Sequence, residues 1–244
     1  MVMRAWPRIV ALLLALGILS GCMYRGEIER RQANPAFVAE EIDRVSSAVE
    51  RYYESRGVYP IKNAAASTSV YEKYVIDLNR LVQAQMLSSI PANAFEAGGH
   101  YYYLLVHPET DPVVMLMDLS AVQAVADLQK EVDAFRDANG GRLPAGAETA
   151  PGFFAVDYDA LGRKAPDLRS PFTNRILPVL LHESGDLLID YGLDIMEASR
   201  RADDPSAVRE GDDAREWLAK ASPLAPVRSF PYVWTNGEPV LTDK

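Results

Sequence analysis

The sequence predicts an α+β fold: two copies of one module, each a helix laid on a small antiparallel sheet, then a C-terminal helix-and-hairpin appendage. Three observations predict it. The helix ends "VERYYESRGVYP" and "VDAFRDANGGRLP" match role for role. Each is followed by an apolar run, a polar turn and a second apolar run. Asp77 and Asp157, Pro91 and Pro171, and His107 and His182 fall in register between the copies.

The first copy opens at Asn34-Pro35, an N-cap followed by a proline suited to the first helical position. Phe37, Ile42, Val45, Val49, Tyr52 and Tyr53 then recur at helical spacing. Gly57 and Pro60 end the helix, because glycine accepts the left-handed cap and proline cannot continue the ladder. In the second copy "AVADLQKEVDAFRDA" carries Val125, Leu128, Val132 and Phe135 on one stripe, ended by Gly140-Gly141 and Pro144. "YVIDLNRL" then parallels "FAVDYDAL", and "SSIPANAF" parallels "LRSPFTNR". "YYYLLVHPETDPVVMLMDL" and "ILPVLLHESGDLLIDYGL" read as hairpins, the second turning at Glu183–Asp186. One copy spans roughly 75–85 residues, long enough for one supersecondary unit.

Beyond Ala198 the composition turns charged. "DDAREWLAKAS" predicts a short helix capped by Asp212 or Asp213, with Trp217 and Leu218 inward and Pro223 and Pro226 beyond it. "FPYVWTNGEPVLT" predicts a hairpin around Asn236-Gly237, with Pro239 confining its last strand to an edge. This appendage has no counterpart in the first copy and is expected to be a lid or a recognition element.

The N-terminus reads as an export leader. Arg4 and Arg8 precede an apolar run from Ile9 to Ile18, too short to span a bilayer core of ~30 Å. It ends in Leu19-Ser20-Gly21-Cys22, the lone cysteine. That order resembles the lipobox of bacterial lipoproteins. The resemblance implies that Cys22 becomes the acylated first residue of the mature chain, and each buried CH₂ of its lipid adds ~0.8 kcal/mol of anchoring. The expected divisions are therefore 1–21 leader, 22–34 lipidated cysteine and polar tether, 35–120 first module, 121–198 second module and 199–244 appendage. The expected address is the extracytoplasmic side of a cell membrane.

A mature body without cysteine has no disulfide, no thiolate zinc site and no catalytic thiol. Loss of Arg4 and Arg8 takes the net charge from −9 to −11, which argues against a nucleic-acid partner and against lying flat on anionic lipid. Hydrophobic content of 48% with 24% charged residues is that of a folded domain.

Catalytic signals are weak. His107 and His182 stand where a strand enters its turn. Each reads as a hairpin cap, with a shared metal site involving Asp111 or Asp186 as the sharper alternative. His100 reads as the start of a strand. Asp77 and Asp157 read as helix or turn caps rather than as a carboxylate dyad. No phosphate loop, dinucleotide fingerprint, nucleophile elbow or zinc-protease motif is present, so no cofactor and no enzymatic activity are expected. Aromatic side chains are the remaining feature. Tyr101 and Tyr103 share one face of a strand, and Phe230, Tyr232 and Trp234 alternate along another. Together they form a candidate recognition surface for a protein or a glycan.

The module resembles the globular part of type IV pilins and type II secretion pseudopilins. "YYESRGVYP" matches their helix end, Pro171-Phe172-Thr173-Asn174 their proline-aromatic-x-Asn segment, and "LLIDYGLD" their last strand up to Asp194. That likeness implies a shared module fold. A lipobox and a polar tether stand where those proteins have a polymerising hydrophobic helix, so no filament is expected. It also brings Asp186, Asp190 and Asp194 into view as calcium candidates, although no dense Asp-x-Asp-x-Asp run is present. The whole chain further resembles a family of uncharacterised lipoproteins of Gram-positive spore-forming bacteria, some labelled as periplasmic binding proteins of ABC transporters. The function expected from all this is a non-enzymatic binding or scaffolding component of the cell envelope, its partner an envelope protein or a small ligand. The alternative is a solute-binding lipoprotein of an ABC-type transporter.

Overall fold

In the computed structural model, residues 34–243 are described. The expected leader, Cys22 and the tether up to residue 33 lie outside them; the last expected tether residue, Asn34, caps the first helix. Helices and antiparallel sheets alternate along the chain, so the coarse class is α+β.

Helix α1 (Pro35–Arg56) starts where the capping pattern predicts. The Asn34 side chain accepts a hydrogen bond from Ala36 N at 3.0 Å, and Pro35 opens the first turn. Gly57 ends the helix in the left-handed conformation at φ 70°, its N–H donating to Tyr53 O. Val45, Ala48, Val49 and Tyr52 are the face it buries. Tyr53 departs from the predicted stripe: it is 43% exposed and stacks on Tyr59 with ring centres 4.2 Å apart.

Two short helices follow, α2 (Val70–Lys73) and α3 (Leu78–Gln83), then the hairpin of β1 (Tyr101–Val106) and β2 (Val113–Asp118). One face of that hairpin packs Tyr103, Leu105, Val114 and Leu116 against α1. The other packs Leu104, Val106, Met115 and Met117 against Tyr71, Ala225 and Val227. Burial on both faces is why these strands read as unbroken apolar runs and not as alternation.

Helix α4 (Leu119–Ala138) begins with no connecting loop, because the last residue of β2, Asp118, is its N-cap and accepts from Ser120 N at 2.8 Å. It therefore starts five residues before the periodic stretch that opens at Ala124, and the expected module boundary falls in its first turn. A four-stranded antiparallel sheet follows in the order β3 (Ala145–Ala150), β4 (Phe153–Val156), β5 (Val179–His182), β6 (Leu187–Ile189). Val125, Leu128 and Val132 of α4 pack on Val179, Leu181, Leu187 and Ile189.

Both halves contain the same local hydrogen bonds. Asp77 N donates to Pro60 O at 2.6 Å, and Asp157 N donates to Pro144 O at 2.8 Å. The Asp77 carboxylate accepts from Arg80 N at 3.0 Å, and the Asp157 carboxylate from Ala160 N at 2.9 Å. Besides β2, strand β1 has only single bridges among the described residues, Val75 with Leu104 and Ala94 with Tyr101, and Ile76 next to Val75 bridges Ile61. The second sheet instead has full strands, β3 and β4, beside β5. Each aspartate works as a cap, so Asp77→Ala and Asp157→Ala are each expected to cost about 1 kcal/mol. The two costs should add, since the sites share no partner. Urea denaturation of the two single variants and the double variant checks both points. A cost confined to one site would show that the two turns are not equivalent.

The C-terminal segment is not a surface appendage. After α5 (Gly192–Arg201) and α6 (Glu216–Ala221), residues 223–228 run between the two sheets. Leu116 N of β2 donates to Pro223 O at 2.8 Å, and Ala225 N donates back to Leu116 O at 2.9 Å. Three residues on, Ile189 N of β6 donates to Arg228 O at 2.7 Å. One irregular segment, bridged at Leu224 and turning at Val227–Arg228, thus hydrogen-bonds an edge strand of each half. The chain ends in a hairpin, β7 (Tyr232–Thr235) with β8 (Glu238–Leu241), turned by Asn236 and Gly237 at φ 53° and 80°. Two successive positive φ values define the type I′ turn that Asn-Gly predicts.

Candidate functional site

The five aromatic residues of the expected recognition surface are largely used in packing. Tyr103 is 1% exposed and donates its hydroxyl to Asn93 Oδ1 at 2.8 Å. Tyr232 is 2% exposed, donates to Asp190 Oδ1 at 2.6 Å and accepts from Tyr191 N at 3.1 Å. Neither can belong to a surface patch. Tyr101 is half-buried against the α1 core. Phe230 packs edge-on against Phe153 at 5.4 Å, and Trp234 against Trp217 at 5.7 Å. Burial raises the phenol pKa values of Tyr103, Tyr191 and Tyr232 well above their ordinary value.

The two in-register histidines have unlike partners. His107, at φ 52°, places Nε2 2.8 Å from Glu216 Oε1, and the Tyr71 hydroxyl donates to the same oxygen at 2.6 Å. Burial, then the Glu216 charge, pushes the Tyr71 phenol pKa far up. His182 instead bonds Ser184 Oγ through Nδ1 at 2.8 Å and packs on Phe153 and Phe230. His107 ties the first half to α6, whereas His182 orders its own turn. His100 directly precedes β1, as expected, and its carbonyl accepts from Leu119 N. The calcium candidates are likewise dispersed. Asp186 accepts from Ser184, Asp190 from Tyr232 and Gly192 N, and Asp194 from Thr173. Among the described residues no group of three or more His, Cys, Asp and Glu could hold a metal ion.

A candidate pocket lies elsewhere. Helices α5 and α6 and the segment 171–173 line a cavity of about 590 Å³, and among the described residues another, of about 560 Å³, is lined by α5 and the β7–β8 hairpin. Phe172, Ala198, Trp217 and Leu218 give the first of these apolar walls, and Asp194 and Thr173 share one side. Local rules place these groups. Ser170 Oγ accepts from Phe172 N and Thr173 N, each at 3.0 Å, which fixes the turn that presents both side chains. Asp194 sits in the first turn of α5, and Trp217 in the first turn of α6.

Three buried side-chain atoms lining the pocket have no hydrogen bond among the described residues; one, Glu197 Oε2, is ion-paired with Arg175, which leaves two. Asp194 is 2% exposed; Thr173 Oγ1 donates to its Oδ1 at 2.6 Å, while Oδ2 has no hydrogen bond. Trp217 is 3% exposed, and its Nε1–H has no acceptor. Buried polar groups are nearly always paired, so such atoms beside a pocket mark a place where a ligand could complete them. The seam between the halves offers no comparable room. The 223–228 segment fills it and leaves only about 10 Å³, about one water at most.

Along the chain the parts of this pocket carry unrelated signals: Asp194 is a calcium candidate, Phe172 belongs to a pilin-like segment, and Trp217 and Leu218 are inward residues of a terminal helix. Nothing local signals that residues more than 20 positions apart meet around one cavity.

Residues 38–118, a third of the chain, match the model of the YphF family N-terminal domain, an uncharacterised family. The match runs from the first turns of α1 to Asp118, the residue that ends β2 and caps α4. No curated protein and no solved structure matches the chain. Over those residues the chain is therefore similar to the YphF family N-terminal domain.

Proposed function

We propose that this chain is an extracytoplasmic lipoprotein, anchored through Cys22, that serves as a non-enzymatic binding or scaffolding component of the cell envelope. Its body is two copies of a pseudopilin-like module. The matched bonds of Asp77 with Pro60 and Asp157 with Pro144 support the repeat. The observation that carries the binding role is the α5–α6 pocket, with its apolar walls, a buried carboxylate oxygen and an indole N–H both without partners.

The pocket also gives the second reading its footing, a solute-binding lipoprotein serving an ABC-type transporter. Its volume lies within the ~300–1,000 Å³ of small-molecule sites. Capture by two closing lobes has less support, because the 223–228 segment hydrogen-bonds both halves.

The anchor is tested by fractionation. Cys22→Ala is expected to move the protein from the membrane pellet to the soluble fraction, and retention in the pellet would remove the lipid reading. In the same cells, a photo-crosslinker placed at Lys220 on the pocket rim separates the two roles. A specific envelope protein supports the scaffold, and transporter subunits support solute delivery.

A further inference from the structure

The charges around the α5–α6 pocket are unevenly matched. Glu197 is already ion-paired twice, with Arg175 Nη2 at 2.9 Å and with Arg201. Lys220 acts on Asp204, whose carboxyl it helps to hold below the usual range, behind the hydrogen bonds from Ser206. Among the described residues that leaves Asp194 with one neutral hydroxyl donor and no ion pair, although it is almost fully buried. A buried carboxylate without a countercharge is unfavourable unless a donor or a cation completes it. Beside it, Phe172 and Ala198, both partly exposed, can cover a hydrocarbon stem, with Trp217 bordering them.

We propose that this pocket takes an ammonium or guanidinium group carried on an apolar stem, with the cation donating to Asp194 Oδ2 and an adjacent acceptor receiving the Trp217 Nε1–H. The inference rests on the binding role argued above. Two sources share this chemistry, a free amine and a lysine or arginine side chain of a peptide. The peptide side chain alone adds a backbone carbonyl for the indole N–H.

The test is a titration of the full ¹⁵N-labelled chain in non-ionic detergent, following the Trp217 indole N–H signal, assigned by its loss in Trp217→Phe. Three probes are compared: Nα-acetyl-lysine amide, its uncharged counterpart Nα-acetyl-norleucine amide, and 1,5-diaminopentane. The lysine amide should shift the signal saturably. The norleucine amide should bind about 10–100-fold more weakly, the usual worth of a charge-assisted hydrogen bond. Asp194→Asn, nearly isosteric, should weaken the lysine amide by a similar factor while leaving the norleucine amide unchanged. Tighter binding of diaminopentane than of the lysine amide points to a free amine, and the reverse points to a peptide.

Equal affinity for the lysine and norleucine amides would overturn the cation inference and leave the binding role standing. No shift with any probe at millimolar concentration would overturn both. The comparison of the two amides on the unmodified chain needs no variant, so it stands even if Asp194→Asn fails to fold.

Discussion

Replacing Arg215 with alanine is expected to cost about 3 kcal/mol and to loosen both halves of the molecule together. Arg215 is 3% exposed, yet its guanidinium is fully engaged. Nε and Nη2 bond Asp213, the latter at 2.6 Å, and Nη1 donates to Ser229 O at 3.0 Å. The flat face of the group lies 4.9 Å from the Tyr71 ring centre. Removing one partner of a buried ion pair costs about 3–5 kcal/mol, because the remaining charge is stranded. The Asp213 side chain is 30% exposed, which places the cost at the lower end. Tyr71 belongs to the first half, and its hydroxyl bonds Glu216 of α6, so the loss propagates across the seam. Arg215→Lys should recover only part of it, since an ammonium cannot reproduce the planar fork. Urea unfolding curves measure both variants. A cost under about 1 kcal/mol for Arg215→Ala would show that the joint holds by its apolar contacts alone.

Gly99→Ala is expected to be more damaging than any ordinary overpacking substitution. A Cβ at position 99 would stand 2.1 Å from Asn93 O and 2.2 Å from Asn93 C. Overpacking against side chains costs about 1–3 kcal/mol, because side chains can give way. Here the obstacle is backbone, and that backbone is pinned. Gly99 N donates to Ala94 O at 2.8 Å, Tyr101 N donates to Asn93 O at 3.2 Å, and Asn93 receives the buried Tyr103 hydroxyl. Relief requires breaking this turn, which sets the start of β1. The neighbouring Gly98→Ala is the internal control. Gly98 sits at φ 87° with nothing near a new Cβ, so only conformational strain applies, about 1–2 kcal/mol. Thermal unfolding of the two variants should therefore separate them clearly. Equal melting temperatures would mean that residues 93–101 can rearrange freely.

These two sites mark the limit of what could be read along the chain. The left-handed Gly57, the Asn34 cap, the paired caps Asp77 and Asp157, and the Asn236-Gly237 turn follow from residues within about four positions of one another. Each is as the sequence predicts. The inward stripe of α4 also follows, because helical periodicity reports a buried face without naming what buries it. Exposure is where local reasoning fails. Alternation puts Tyr101 with Tyr103 on one strand face, and Phe230, Tyr232 and Trp234 on another. Whether such a face meets water depends on what covers it, and here helices and sheet cover most of it.

By itself, the sequence determined the α+β class, the caps at Asn34, Gly57, Asp77 and Asp157, the Asn236-Gly237 turn, and the buried stripes of both long helices apart from Tyr53. The cap expected from Asp212 or Asp213 does not form, since Arg215 stands at the N-cap of α6 with no side-chain cap bond. The features that did form are set by apolar periodicity, backbone sterics and hydrogen bonds between near neighbours. The tertiary structure alone decided that the irregular segment 223–228 would join β2 to β6, that Arg215 would be buried, and that Asp194 would meet Phe172 and Trp217 around one pocket. Those outcomes bring together groups 20 to more than 140 residues apart. They are fixed by which sheet edges and apolar faces remain uncovered once the local elements have formed, a quantity no stretch of sequence carries on its own.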